Sequence, residues 1–484
     1  MATLNKKIGS GVLWNLASMF MSRGASTLFM LFLARLLTPE AFGLIAMVTV
    51  VFELSNTFVN SGLETALVRS KAVSRADLNT VFLSNLVLSG VVYIALFLAA
   101  PIVADFYEQT ELAALIQVMG LVVFINASTV VQTAVLTRNM NFRAQMKANT
   151  LGVVASGVLA VAAAFAGWGV WSLVVQMLSS AFVSAIILWL TSSWRPRWQF
   201  STESFTRLFR FGRNLLIERS LEVLFQNSYV MVIGRLFSTE ITGLYFFARK
   251  VSNLIAQQLT GAVQRATFPA LATLQDDNVA LLHKYRQIMQ LIMFIIAPIM
   301  GLLAGLAHPL INVLFGEKWL GAIPYLQVLC MIGMLYPIHA LNISLLNVKG
   351  RSDLVLKVGL LKKSVNLTLL FLAIPYGVFG IVLSQLIGSV LALIPNTYFS
   401  ARLVNYNLLT QLTDAIIPVM SALLAALLVG YLYSVSHLSA FWGLMCGSLL
   451  GGSVYILATF LFKAEGLKFF LNKFKEKFLM RRYI

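Results

Sequence analysis

The 484-residue chain is 59% apolar and 11% charged, with a formal net charge of +18. Soluble domains hold about a quarter of their residues as Asp, Glu, Lys and Arg, so this composition excludes a soluble globular protein. The apolar residues come in long runs rather than the alternating segments of roughly 10 residues that build a membrane β-barrel, which excludes that class as well.

In chain order, fourteen apolar stretches are long enough to cross a bilayer as helix, which takes roughly 20 residues each. They fall at 12–34, 43–66, 79–104, 112–136, 148–166, 169–190, 214–236, 241–264, 287–307, 321–347, 354–374, 377–400, 415–433 and 440–462, and are called spans 1 to 14. Lys6 and Lys7 precede span 1 as in a secretory signal. Arg23 interrupts that span, however, and no small-residue cleavage pattern follows, so it reads as a retained helix. Between spans 6 and 7 lies Trp194-Arg195-Pro196-Arg197-Trp198, basic and aromatic as the headgroup zone favours. After span 14, Lys468, Lys473, Lys475 and Lys477 alternate with Phe469, Phe470, Phe474 and Phe478. That pattern predicts a basic amphipathic helix on the cytoplasmic membrane surface, facing anionic lipid. Cys330 and Cys446 fall inside spans and read as small core residues.

An internal echo organises these spans. Ala34-Arg35-Leu36-Leu37-Thr38-Pro39-Glu40-Ala41-Phe42-Gly43-Leu44 recurs 200 residues later as Gly234-Arg235-Leu236-Phe237-Ser238-Thr239-Glu240-Ile241-Thr242-Gly243-Leu244. Arg, Leu, Glu, Gly and Leu coincide at one offset, and each copy joins two apolar runs. Duplication inside a very hydrophobic chain is the usual build of a secondary transporter. The expected fold is therefore an all-α integral membrane protein of about fourteen transmembrane helices in two six-helix bundles. The divisions are 1–190 for the first bundle, 191–213 for a basic cytoplasmic linker, 214–401 for the second bundle, 402–462 for an extra helix pair and 463–484 for the tail. Both halves begin on the same side, which makes the repeat parallel, about an axis along the membrane normal.

Charge placement sets the orientation. With the N-terminus in the cytoplasm, the inside segments hold most of the Lys and Arg, among them Arg69, Lys71, Arg75, Arg138, Arg143, Arg195, Arg207 and Arg351. One outside loop, with Asp105, Glu108 and Glu111, is purely acidic. This is the positive-inside asymmetry, and it puts both termini in the cytoplasm. Charge spread over many short loops also excludes a nucleic-acid partner.

Ionisable groups inside spans are expensive, about 2.5–3.5 kcal/mol at mid-helix on insertion scales, so each needs a reason. They concentrate in spans 1, 2, 7 and 8, whereas spans 3, 5, 6, 9, 13 and 14 carry none that is comparable. Span 2 presents Glu53, Asn56, Asn60 and Glu64 on one face; span 7 presents Arg219, Glu222 and Gln226; span 8 presents Arg249, Asn253 and Gln257. Such stripes face other helices or water, not lipid, and predict a hydrated cavity lined by spans 1, 2, 7 and 8. Arg219 and Glu222 also read as an i, i+3 pair that neutralises itself. Arg23 has no acidic neighbour one turn away in its own helix and needs a carboxylate elsewhere or an anionic ligand. In the repeat, Glu53 aligns with Asn253 and Arg23 with Val223, so the cavity is expected to be asymmetric. Arg35, Arg235, Glu40 and Glu240 flank outside turns and read as structural. The candidate binding set is thus Arg23, Glu53, Asn56, Asn60, Arg219, Glu222, Arg249, Asn253 and Gln257. No catalytic residues, metal or cofactor are expected; four scattered histidines and no Walker-type glycine loop give enzyme chemistry little support.

Four stretches carry a family resemblance: Ala34–Glu40 with Phe42-Gly43; Ala104-Asp105-Phe106-Tyr107 ahead of Glu111-Leu112; Phe268-Pro269-Ala270-Leu271; and Leu314-Phe315-Gly316-Glu317-Lys318-Trp319. With the span pattern, the chain resembles polysaccharide and O-antigen flippases of the multidrug/oligosaccharidyl-lipid/polysaccharide exporter superfamily. Within it, the chain looks closest to exporters of the colanic-acid and teichuronic-acid type. The resemblance implies a V-shaped, MATE-like pair of bundles working by alternating access. The implied cargo is an oligosaccharide repeat unit on a polyprenyl pyrophosphate, moved to the outer leaflet of the bacterial plasma (inner) membrane. It also implies a basic central cavity, matched here by Arg23 with Arg249 as a second contributor. Membrane lipids and polysaccharide polymerase or assembly proteins are the partners it implies, with H+ and Na+ as candidate coupling ions. The competing readings are a cation-coupled drug or metabolite antiporter, for which Glu53 is the central acidic candidate, and a membrane glycan polymerase, which the short outside loops disfavour.

Overall fold

The computed structural model describes residues 21–60 and 62–469. Lys6, Lys7, the first part of span 1 and most of the expected amphipathic tail lie outside the described residues. All regular structure among the described residues is helical, the solution that satisfies every backbone polar group within one segment in lipid.

The chain divides into two compact units, Met1–Gly243 and Leu244–Ile484. The first holds α1 (21–36), α2 (Pro39–Asn60), α3 (Leu63–Arg69), α4 (Arg75–Tyr107), α5 (Glu111–Ala127), α6 (Val130–Arg138), α7 (Phe142–Phe165), α8 (Trp171–Thr191) and α9 (Thr202–Leu236), with the first turn of α10 (Thr239–Ala272). The second holds the rest of α10, then α11 (Asn278–Gly305), α12 (Ala307–Leu314), a 3-10 helix (Glu317–Ala322), α13 (Ile323–Val348), α14 (Ser352–Ala373), α15 (Gly377–Leu391), α16 (Leu393–Val404), α17 (Leu408–Val435) and α18 (Ala440–Leu461).

Among the described residues, 10 helical stretches are long and apolar enough to cross a membrane. This is the architecture of an all-α multi-span membrane protein. Spans 7 and 8 form the long helices α9 and α10, but stand outside those ten because Glu218, Arg219, Glu222, Arg249 and Lys250 make them too polar. The stretch 352–404 is one apolar run holding both span 11 and span 12, turned by a short 3-10 helix at Ile374–Tyr376.

Two boundaries differ from the sequence expectation for a physical reason. The helix of span 7 starts at Thr202, well before residue 214, with the Ser201 hydroxyl accepting from the Ser204 amide. Phe205, Leu208 and Phe209 fall at i, i+3 and i+4, so an amphipathic turn binds this stretch to the unit. The helix of span 13 starts at Leu408, which draws Asp414 into it.

In the first unit, α2 lies against α5 and α9, and α7 pairs with α8. Between α2 and α3, Gly62 takes φ +71, and a Cβ there would meet the Gly212 Cα at 2.8 Å. Only glycine suits that left-handed turn at a backbone-to-backbone crossing. The repeated segments meet one another within this unit. Gly43 packs on the backbone of Thr239, and Gly243 packs on the backbone of Pro39, each glycine touching the residue equivalent to its partner's. The Asp105 motif sits nearby: the Tyr107 ring would lie 3.1 Å from a Cβ at Gly234, and Arg235 Nη1 donates to Glu108 Oε1 at 2.6 Å. The acidic loop that joins α4 to α5 is therefore anchored to the end of α9.

In the second unit, α11 packs against α13 and α17, and α17 pairs with α18. The 314–319 motif is a packing device. Gly316, at φ +95, turns the chain so that fully buried Trp319 lies with its ring 4.2 Å from Phe247, while Phe315 meets the same Phe247 edge-on at 4.6 Å.

Candidate functional site

The polar residues of α2 are placed by helical periodicity on a face that meets α9 and α5. Glu53 Oε2 accepts from Asn227 Nδ2 at 2.8 Å, and that amide also donates to the Val223 carbonyl at 3.0 Å. One turn on, Asn56 Oδ1 accepts from Asn126 Nδ2 at 3.4 Å. Asn227 is buried, whereas Glu53 is exposed. A carboxylate held by one amide and otherwise uncovered, inside a helix of apolar composition, can bind a hydroxyl-rich or cationic group. Asn60 closes α2, and its side chain lies outside the described residues.

On α9, Glu222 Oε1 accepts from Gln226 Nε2, one turn forward, at 2.7 Å. Arg219 is exposed on the same helix. Arg23 is exposed on α1, where Thr27 Oγ1 donates to its carbonyl at 2.8 Å. The first unit thus brings Glu53 and Asn56 together with α9 and α5. Asn227 and Asn126 complete that seam and were not among the sequence candidates. Asn227 carried a signal, since Arg219, Val223 and Asn227 share a helix face at steps of four. Asn126 is one of several polar residues in its run, with Ser128, Thr129 and Gln132, and no single-helix pattern singles it out.

In the second unit, Arg249 and Asn253 are half-buried and Gln257 is exposed, all on α10. Arg249 is one turn from Tyr245, whose buried hydroxyl accepts from Gln385 Nε2 at 2.6 Å. Ser252 Oγ and Gln264 Nε2 donate to the carbonyls of Leu329 and Ala340 at 2.9 and 2.7 Å, fixing α10 on α13. Among the described residues, no group of three His, Cys, Asp or Glu side chains is placed to hold a metal ion.

Comparison with known proteins places this architecture. The profile of a family described as polysaccharide biosynthesis protein matches residues 32–324. The chain is 26% identical over 394 residues to the lipopolysaccharide biosynthesis protein WzxC of Escherichia coli (strain K12), covering 80% of this chain and 77% of that one. It is 29% identical over 337 residues to the succinoglycan biosynthesis transport protein ExoT of Rhizobium meliloti (strain 1021), covering 69% of this chain and 68% of that one. The fold is similar to that of the lipid II flippase MurJ in an inward closed conformation, with a TM-score of 0.75 and 13% identity over 93% of this chain and 98% of that one.

Proposed function

The chain belongs to the polysaccharide biosynthesis protein family, a transporter family of the multidrug/oligosaccharidyl-lipid/polysaccharide exporter superfamily, and from that premise we propose that it flips polyprenyl-pyrophosphate-linked oligosaccharide repeat units from the cytoplasmic to the outer leaflet. In this reading fourteen spans, in two six-helix repeats with an added pair, work by alternating access in the plasma membrane, with both termini in the cytoplasm. The product feeds exopolysaccharide or O-antigen assembly, and polymerase or assembly proteins are its expected partners.

The observation that carries this reading is the polar seam of α2, α9 and α5, where an exposed Glu53 and the amides of Asn56, Asn126 and Asn227 meet. Amides and a carboxylate can exchange hydrogen bonds with sugar hydroxyls. Arg23, Arg219 and Arg249 supply guanidinium forks that match pyrophosphate oxygens bidentately. The prenyl chain stays in lipid.

Deleting the gene should make lipid-linked repeat units accumulate on the cytoplasmic side and remove surface polymer. Normal polymer with altered drug tolerance would instead support the antiporter reading. Arg23→Ala should lower export by roughly tenfold or more, the loss of a charge-assisted contact, with the protein still inserted. Arg23→Lys should restore only part of it. Export at the wild-type level in Arg23→Ala cells would remove Arg23 from the site.

A further inference from the structure

A second polar-to-apolar transition sits at the cytoplasmic end of the first unit, away from the Glu53 seam. Its frame is tightly pinned. Arg138 Nη1 donates to the carbonyls of Leu67 at 2.7 Å and Ser70 at 2.5 Å, closing the end of α3. Ser74 and Asp77 form a capping box at the start of α4, and Arg207 of α9 pairs with that Asp77. The strap before α9 is stitched to α4: the Ser201 amide donates to Thr80 Oγ1 at 2.9 Å, and the Arg197 amide to Asn79 Oδ1 at 3.1 Å. Asn79 and Thr80 are buried, so these bonds satisfy polar groups that water cannot reach.

Within this frame lie two adjoining hollows. The first, of about 200 Å³, is lined by Arg69, Ser70 and Arg207, with Ala66 and Leu208. The second, of about 420 Å³, is lined by Leu83, Val87, Leu88, Val91, Phe205 and Phe209 among others. Ala66 lines the first and Leu63, one turn back on α3, the second; Leu208 lines the first and its neighbour Phe209 the second. The apolar hollow climbs α4 from Leu83 to Val91, about 12 Å at 1.5 Å per residue, from the interface toward the middle of the bilayer. Its volume falls within the roughly 300–1,000 Å³ of ligand pockets. Phe205 and Phe209 stack at 5.3 Å between centroids, which gives it a flat aromatic wall.

We infer that this pair of hollows is a dock for a phosphorylated polyprenyl lipid, its phosphate between Arg69 and Arg207 and its first isoprene units along Phe205, Phe209 and the α4 face. The inference rests on the flippase reading and names where the carrier end of the cargo is held before translocation. One basic pocket leading into one aromatic-walled hollow suits a single-chain lipid with flat, methyl-branched units. A glycerophospholipid has two straight chains to place. The hollow also faces the leaflet in which the proposed cargo is made.

The test uses the full-length protein in phosphatidylcholine nanodiscs and labelled farnesyl diphosphate as probe. Wild type should bind it saturably. The double variant Arg69→Gln/Arg207→Gln should weaken binding roughly tenfold or more, as expected for lost charge-assisted hydrogen bonds. Val87→Trp, which fills the apolar hollow from a lipid-facing position and leaves the Arg207–Asp77 pair intact, should do the same. Inorganic pyrophosphate should compete poorly, because it lacks the chain. Equal binding by all forms would put the lipid elsewhere and overturn the dock while leaving the flippase reading standing. Displacement by phosphatidylglycerol at equal concentration would overturn it in favour of bulk anionic lipid. Absence of binding to wild type would overturn it as well. Accumulation of cargo in deletion cells is read separately and decides the flippase reading by itself.

Discussion

Asp414→Ala is expected to destabilise the second unit by about 1–3 kcal/mol, the cost of leaving the buried donors around it without their acceptor, while the Arg286 side chain, 47% exposed, keeps access to water. Asp414 is 6% exposed and accepts from four donors. Arg286 grips it through Nε at 2.5 Å and Nη2 at 2.7 Å, Gln290 Nε2 reaches it at 2.9 Å, and the Tyr406 hydroxyl at 2.7 Å. Tyr285 packs edge-on against Tyr406 at 5.7 Å between centroids. Removing the carboxylate leaves a guanidinium, an amide and a phenol aimed at an empty space, and loosens α11 from α17. Asp414→Asn keeps the volume but turns one acceptor into a donor facing Arg286, so it should also lower the thermal midpoint in detergent. The control is Asp353→Ala. The Arg351–Asp353 pair joins residues two apart on the surface, with both side chains about half exposed at 46% and 51%. Exposed pairs contribute little, so that variant should leave the midpoint where it is. Equal midpoints for Asp414→Ala and wild type would refute the buried-network account.

Gly243→Ala is the second large effect. A Cβ at Gly243 would overlap the Pro39 carbonyl oxygen and stand 2.7 Å from its carbon and 2.9 Å from the Gly43 nitrogen. A Cβ at Gly43 would overlap the Thr239 carbonyl oxygen and stand 2.9 Å from its carbon. These are backbone atoms at helix starts and cannot rotate away as a side-chain tip would, so the starts of α2 and α10 must separate. Overpacking of a close contact costs about 1–3 kcal/mol, and more where backbone must move. Gly43→Ala and Gly243→Ala should therefore lower the thermal midpoint to a similar degree. The double variant should cost less than the two singles together, because both act on one contact. Two midpoints that differ widely, or strict additivity, would contradict the reciprocal packing.

This pair of glycines marks where sequence was legible and where it stopped. The 200-residue echo exposes Gly43 and Gly243 as equivalents, but nothing in one chain's letters says that each packs on the other's segment. The same holds for the aromatic motif at 314–319: its residues are conspicuous in sequence, while the Phe247 ring that joins them lies far back in the chain. Periodicity found the stripes of Glu53, Asn56 and Arg219, because the face a residue occupies depends on its own helix. Their partners Asn227 and Asn126 depend on which helices meet, which is a tertiary property. The start of α9 was readable in retrospect from Phe205, Leu208 and Phe209 at helical spacing. The arginines around them made the stretch resemble a plain basic loop. Asp414 and Arg286 are not legible in the hydropathy pattern, because each lies one residue outside an apolar run and the helices continue past the apolar residues.

The most direct measurement of the central claim is translocation by the purified chain in proteoliposomes. Short-chain polyprenyl-pyrophosphate-linked oligosaccharide is loaded in the inner leaflet, and its arrival outside is read by a membrane-impermeant glycosidase. Glycan should become cleavable with time in wild-type vesicles, and roughly tenfold or more slowly when Arg23→Ala is used. Cleavage in wild-type vesicles at the protein-free rate, with the protein folded and correctly inserted, would contradict the account.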